Sequence, residues 1–173
     1  MWMGRGILII AGIVALAAAG AVVFGTTRSE GPQQPIPFPH DIHAGTNNVP
    51  CLYCHSSAAK SVDAGLPAVE VCAGCHIPGG VPLVAADSPG VRTLISYWNA
   101  KEPIPWVRIH DLPDHVHFPH MIHVNADSLE CQQCHGQVEA MAEITLQQPL
   151  RMGWCLQCHR ERGVRTDCTV CHY

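Results

Sequence analysis

Charge is what this sequence has least of. Only 14% of its 173 residues are Asp, Glu, Lys or Arg, against roughly 25% in an ordinary soluble domain. Lysine is nearly missing, with Lys60 and Lys101 standing alone, and 14 acidic residues outnumber 10 basic ones for a formal charge of −4. That excludes a nucleic-acid partner, because following phosphates takes a cationic surface. Alternation of the kind that builds strands is also absent over any convincing length, so a sheet-built fold is not expected. The length allows about one domain. Once an apolar N-terminal stretch is set aside, the remainder is small for a chain that must fill a core with side chains alone.

What the chain has in excess is 10 Cys and 12 His. No cysteine is left over from five pairs, each followed at once by histidine: Cys51, Cys54 and His55; Cys72, Cys75 and His76; Cys131, Cys134 and His135; Cys155, Cys158 and His159; Cys168, Cys171 and His172. A disulfide framework or zinc knuckles are the alternatives for so many cysteines, yet neither calls for histidine at that one position. With 12 His in 173 residues, five out of five by accident is on the order of one in a million. C-x-x-C-H is the attachment signature of c-type haem: two thiols add to the vinyl groups and the adjacent imidazole binds the iron. Five covalently bound haem c groups are expected. The haems themselves would then form the core.

From Gly6 to Gly25 run 20 residues without a charged side chain, about 30 Å of helix and enough for a bilayer core. A cleavable signal peptide has a shorter apolar region, usually about 7 to 15 residues, with a small-x-small site at its end. A retained transmembrane anchor over residues 1–28 is expected. Arg5 and Arg28 flank it evenly, so charge does not orient it. Ala11, Ala15 and Ala19 make a small-residue face suited to partner helices or simply to lipid.

Residues 29–39 carry Pro32, Pro35, Pro37 and Pro39 and read as an extended linker. An internal repeat follows. Phe38-Pro39-His40-Asp41-Ile42-His43 begins 13 residues before Cys51, and Phe118-Pro119-His120-Met121-Ile122-His123 begins 13 before Cys131. This divides the rest into a two-haem module over 36–100 and a three-haem module over 101–173. Short helices are expected around the motifs and over 128–141, and Trp98, Trp106 and Trp154 are expected to pack internally. The fold class is one N-terminal transmembrane helix plus a small, mostly irregular multihaem domain with short helices and little strand.

Five low-spin irons need ten axial ligands. Five are the motif histidines, leaving His40, His43, His110, His115, His117, His120 and His123 for five distal places. Met141 or Met152 is an alternative for one iron, and would raise its potential.

F-x-H-x-x-H ahead of C-x-x-C-H resembles the small multihaem class III cytochromes c, and that resemblance implies distal roles for His40, His43, His120 and His123. The stretch from Val107 through Arg160 (Val107-Arg108-Ile109-His110-Asp111-Leu112-Pro113-Asp114-His115, then Cys134-His135-Gly136, then Leu150-Arg151-Met152-Gly153-Trp154-Cys155) is more specific. With the N-terminal helix, it resembles the pentahaem cytochrome subunit of alternative complex III, a quinol-oxidising respiratory or photosynthetic membrane assembly. This implies His110 as the fifth distal ligand, with His115 and His117 spare. It also implies integral membrane and iron–sulfur subunits as partners, and a monohaem cytochrome c, a blue-copper protein or an oxidase as acceptor. Because c-type maturation works outside the cytoplasmic membrane, the haem domain is expected on the periplasmic side.

With both axial places filled by protein, no substrate reaches a metal, so electron transfer without a catalytic site of its own is expected. Arg160, Arg162 and Arg165 between the last two motifs are candidates to neutralise propionates or guide an acidic partner. Two rivals remain. One is a stand-alone quinol dehydrogenase of the NapC/NirT type, disfavoured by the repeated F-x-H-x-x-H. The other is a multihaem reductase with an open iron, disfavoured by a histidine supply that covers all five.

Overall fold

The computed structural model describes residues 31–127 and 129–173. The expected anchor at 1–28 and the first two linker positions lie outside the described residues, as does Ser128. Among the described residues no helix is long and apolar enough to cross a membrane, and no strand occurs.

Secondary structure is confined to short pieces, most of them built on the sequence motifs. Helix α1 is Cys51–Cys54, α2 Val69–His76, α3 Pro89–Ala100, α4 His120–Val124, α5 Cys131–His135 and α6 Met152–Glu161. A π-helical turn covers Asp41–Thr46, and 3-10 turns cover Pro78–Gly80, Val138–Ala140 and Cys168–Val170. Four of the C-x-x-C runs are therefore α-helical, and the fifth starts in a 3-10 turn that ends just before Cys171. Residues three apart share a helix face, so this local choice brings the two thiols of each motif to one side.

Local chemistry sets several ends. In α5 the Glu130 side chain accepts from the Gln133 backbone while Gln133 reaches back to the Glu130 N–H, a reciprocal cap. Helix α3 starts with Pro at its first position and stops at Lys101, which adopts φ 57° in the left-handed region. The N–H groups of Lys101 and Glu102 there close on the carbonyls of Trp98 and Tyr97.

Side chains alone supply a small core. Ile36, Val69, Ala73, Ile77, Leu94 and Ile104 are buried together between α2 and α3, with Tyr97, Trp98 and Trp106 against them. Trp98 and Trp106 thus pack internally as expected. No large side chain is completely enclosed among the described residues, and Leu52, Tyr53, Ile122, Leu83 and Met152 are exposed.

The expected linker does not stand clear of the domain from Gly31 onward. Ile36 is only 6% exposed in that core, and Gln34 pairs in both directions with the backbone of Val107, at 3.0 and 2.9 Å. An apolar Ile among the prolines makes packing favourable where a polar spacer would stay solvated. Residues Gly31–Tyr173 form one compact unit. Within it the stretches 36–100 and 101–173 are stitched by His120 N–H to Val62 O and Met121 N–H to Ser61 O, both 3.0 Å, and by Asn125 Nδ2 to Ala59 O at 2.9 Å. The π-helical turn docks on the far half through Asp41 N–H to Met141 O at 3.0 Å. At that contact a Cβ on Gly45 would collide with the carbonyl of Glu139.

Candidate haem-binding site

The histidines are oriented by their backbones. Nδ1 of His55 lies 3.3 Å from the carbonyl of Gly65, that of His76 2.9 Å from Val84, that of His159 2.7 Å from Arg165 and that of His172 2.9 Å from His115. Non-motif rings are tied in the same way: His43 to the Pro39 carbonyl at 2.8 Å, His123 to Pro119 at 3.0 Å and His120 to Val62 at 3.1 Å. A carbonyl can only accept, so each Nδ1 carries the proton and each Nε2 keeps its lone pair for a metal. Phe38 stacks on His43 and Phe118 on His123, with ring centres 4.2 and 4.1 Å apart, which gives the repeated phenylalanine a physical role.

Rings then meet in pairs. His43 faces His76 with centres 6.0 Å apart, His123 faces His159 at 6.2 Å, and His115 faces His172 at 5.6 Å. His110 and His135 are closer, 4.5 Å and edge-on. His117 stacks on Tyr173 at 4.3 Å. Burial, then the neighbouring His55 and His43, holds the pKa of His40 down to about 4. Burial, then His110, His120 and His55, does the same for His135, also to about 4. His40 therefore sits within electrostatic reach of His55, and His120 within reach of His135.

No two of the ten cysteines are joined in a disulfide, and their neighbours trace a path. Burial raises the pKa of Cys54, with Cys75 the next cause, and raises that of Cys72, with Cys54 next. Cys131 is raised by burial and then by Cys51. Cys134 is raised by burial and then by Cys158 and Cys155, and Cys155 by burial and then by Cys171. The motifs thus neighbour one another in the order second, first, third, fourth, fifth.

Comparison with known proteins bears on these motifs. Residues 116–173 match the family described as cytochrome c7 and related cytochrome c. The chain is also 30% identical over 125 residues to a protein named menaquinone reductase, multiheme cytochrome c subunit, from Nitratidesulfovibrio vulgaris (strain Hildenborough). That match covers 72% of this chain and 56% of the relative, so the chain spans little more than half the relative's length. Together they support a multihaem cytochrome c. The cytochrome c family carries covalently bound haem c.

The residues of this chain fit that group. An iron held between two imidazoles, each nitrogen about 2 Å from the metal, separates the ring centres by roughly 6 Å. Two observed pairs have that spacing, at 6.0 and 6.2 Å; His115 and His172, at 5.6 Å, cannot bracket an iron, because the His115 carbonyl itself accepts from Nδ1 of His172, on the side of that ring away from Nε2. The 4.5 Å between His110 and His135 leaves no room for a metal between them. Exposed apolar side chains stand on the attachment elements themselves, Leu52 and Tyr53 inside the first motif, Ile122 beside His123 and Met152 at the head of α6, and they suit a large apolar macrocycle. Among the described residues no three of His, Cys, Asp or Glu converge as a bare metal cage.

His115 and His117, spare in the sequence reading, lie against the last motif: the His117 N–H donates to the Cys171 carbonyl at 2.8 Å, and the His115 carbonyl accepts from Nδ1 of His172 at 2.9 Å. Of the three arginines, Arg165 is engaged internally, pairing with Asp167 at 3.0 Å while its carbonyl holds His159. Arg162 Nη1 donates to the Asp127 carbonyl at 3.3 Å.

Proposed function

We propose that this chain is a membrane-anchored pentahaem cytochrome that relays electrons within a quinone-linked membrane assembly of the alternative complex III kind. The N-terminal apolar stretch would anchor it, and the haem domain would lie on the periplasmic side. The observation that carries the relay is the series of C-x-x-C-H motifs, each with a thiol within electrostatic reach of one in the next. The order in which the sites neighbour one another then sets the order of transfer, from the second motif through the first, third and fourth to the fifth, or the reverse.

Haem c supplies a reversible one-electron couple when bound. The chain's part is to attach, orient and close both axial positions. We assign His40 with His55, His43 with His76, His120 with His135 and His123 with His159, with His110 as the fifth distal ligand. The repeat supports this assignment: within each copy the first histidine serves the motif just downstream and the second serves the following motif. Backbone carbonyls at Nδ1 fix most of these rings and raise their donor strength. Five irons closed on both sides leave no place for substrate, which disfavours the reductase reading.

Partners would be integral membrane and iron–sulfur subunits, with a monohaem cytochrome, a blue-copper protein or an oxidase taking the electrons. The printed name of the relative favours a second direction, in which electrons run toward menaquinone. Purification in mild detergent followed by rapid mixing tests both. Co-purification of further membrane subunits, with haem reduction by a menaquinol analogue only in the intact assembly, supports quinol oxidation. Oxidation of the prereduced assembly by a menaquinone analogue supports the reverse direction. A chain that purifies alone and is rapidly reduced by quinol would sink both in favour of the stand-alone dehydrogenase.

A further inference from the structure

His40 and His120 occupy the same place in the two copies of the repeat, yet their rings are held differently. In the second copy the Val62 carbonyl accepts from both the backbone N–H and Nδ1 of His120, at 3.0 and 3.1 Å. The first copy docks instead through Asp41 N–H to the Met141 carbonyl, and Nδ1 of His40 is left buried with no hydrogen-bond partner. The Phe38 carbonyl exerts only a minor pull on that ring. His55, assigned to the same iron, lies 3.3 Å from the Gly65 carbonyl, beyond the usual range of about 2.7–3.2 Å. The second and fourth irons differ. His43 and His76 are held at 2.8 and 2.9 Å, and His123 and His159 at 3.0 and 2.7 Å.

We infer that the first haem is the highest-potential site of the series, set by His40, whose Nδ1 has no acceptor, and by the long contact of His55. The inference rests on the ligand assignment proposed above. A carbonyl at Nδ1 draws on the ring proton, enriches Nε2 and favours the ferric iron; a ring without one is a weaker donor and leaves the ferrous iron favoured. Burial around His40 acts in the same direction, because an apolar environment disfavours the more positive ferric state. The second and fourth haems, with both rings bonded, lie lower. In the order second, first, third, fourth, fifth, the potential thus rises and falls along the series. A single electron given to the molecule rests mainly on the first haem.

The test uses the haem-loaded full chain. A spectroscopic redox titration resolves the reduction steps, and electron paramagnetic resonance counts low-spin and high-spin irons. His40→Ala opens the first iron, so one haem turns high-spin, and the wild-type step that disappears is expected to be the first to reduce. His43→Ala opens the second iron and is expected to remove a late step. Loss of a middle or late step in His40→Ala overturns the inference. An entirely low-spin His40→Ala protein overturns the ligand assignment on which it rests. If His40→Ala loads poorly, nuclear magnetic resonance of the wild type during stepwise reduction carries the test alone. Haem methyl signals placed at the first motif by their contacts with Leu52 and Tyr53 are expected to lose their paramagnetic shifts first, and another haem doing so overturns the inference.

Discussion

At the scale of single residues, the molecule spends its unusual composition on orienting nitrogen atoms. His43, His120 and His123 are each held by a carbonyl at Nδ1, so their Nε2 atoms are presented before any metal is considered. Gly136, directly after His135, shows how tightly one such site is drawn. It adopts φ 73° and ψ −168°, a region essentially reserved for glycine, and a Cβ there would lie 2.7 Å from Gln147 Cγ. Gly136→Ala should cost about 1–3 kcal/mol of stability, seen as a lowered thermal midpoint with the haem count unchanged. Burial holds His40 and His135 neutral to about 4 in the folded chain, whereas an unfolded histidine titrates near about 6.5. The unfolded state therefore takes up protons first, and stability falls as pH drops from about 6.5 toward about 4. Metal coordination at Nε2 acts in the same direction. Thermal melts at pH 7 and pH 5 should show the lower midpoint at pH 5, and equal midpoints would contradict the burial of these two rings.

At the scale of elements, helices exist here mainly to carry motifs, and each is short because little else holds it. Helix α3 is the exception, long and without a haem motif, and its end carries avoidable strain. Lys101 occupies the left-handed cap position that glycine fills at least cost. Lys101→Gly should stabilise the domain by up to about 1 kcal/mol, measurable as a rise in the denaturation midpoint. Much of this level was legible beforehand. C-x-x-C-H announced where the thiols and their adjacent rings would sit, and the F-x-H-x-x-H repeat announced the carbonyl-held rings of His43, His120 and His123. The pairing of His115 with His172 was not legible, because it depends on the backbone of residues 115–117 crossing the last motif, a contact between positions 57 apart in the chain. The packing of Ile36 was lost among prolines that read as a spacer.

At the scale of the whole molecule, two sequence-defined halves make one unit because the attachment sites cross between them. Cys54 lies within electrostatic reach of Cys75, and Cys51 within reach of Cys131, so the order in which the motifs neighbour one another is not chain order. The sequence could give the number of sites, while their order depends on tertiary contacts such as His120 and Met121 donating to Val62 and Ser61. Weakening that seam should act on the path as well as on stability. Asn125→Ala, which removes the side-chain bond to Ala59, is expected to cost about 1 kcal/mol and to slow equilibration of electrons among the haems after rapid mixing with a reductant. The central claim is that every iron is closed by two histidines of this chain, so that the molecule conducts and does not bind substrate. Quantitative electron paramagnetic resonance of the oxidised, haem-loaded protein tests it most directly. The account predicts five low-spin ferric haems per chain and no stoichiometric high-spin signal; one high-spin haem per chain that shifts on adding nitrite would contradict it.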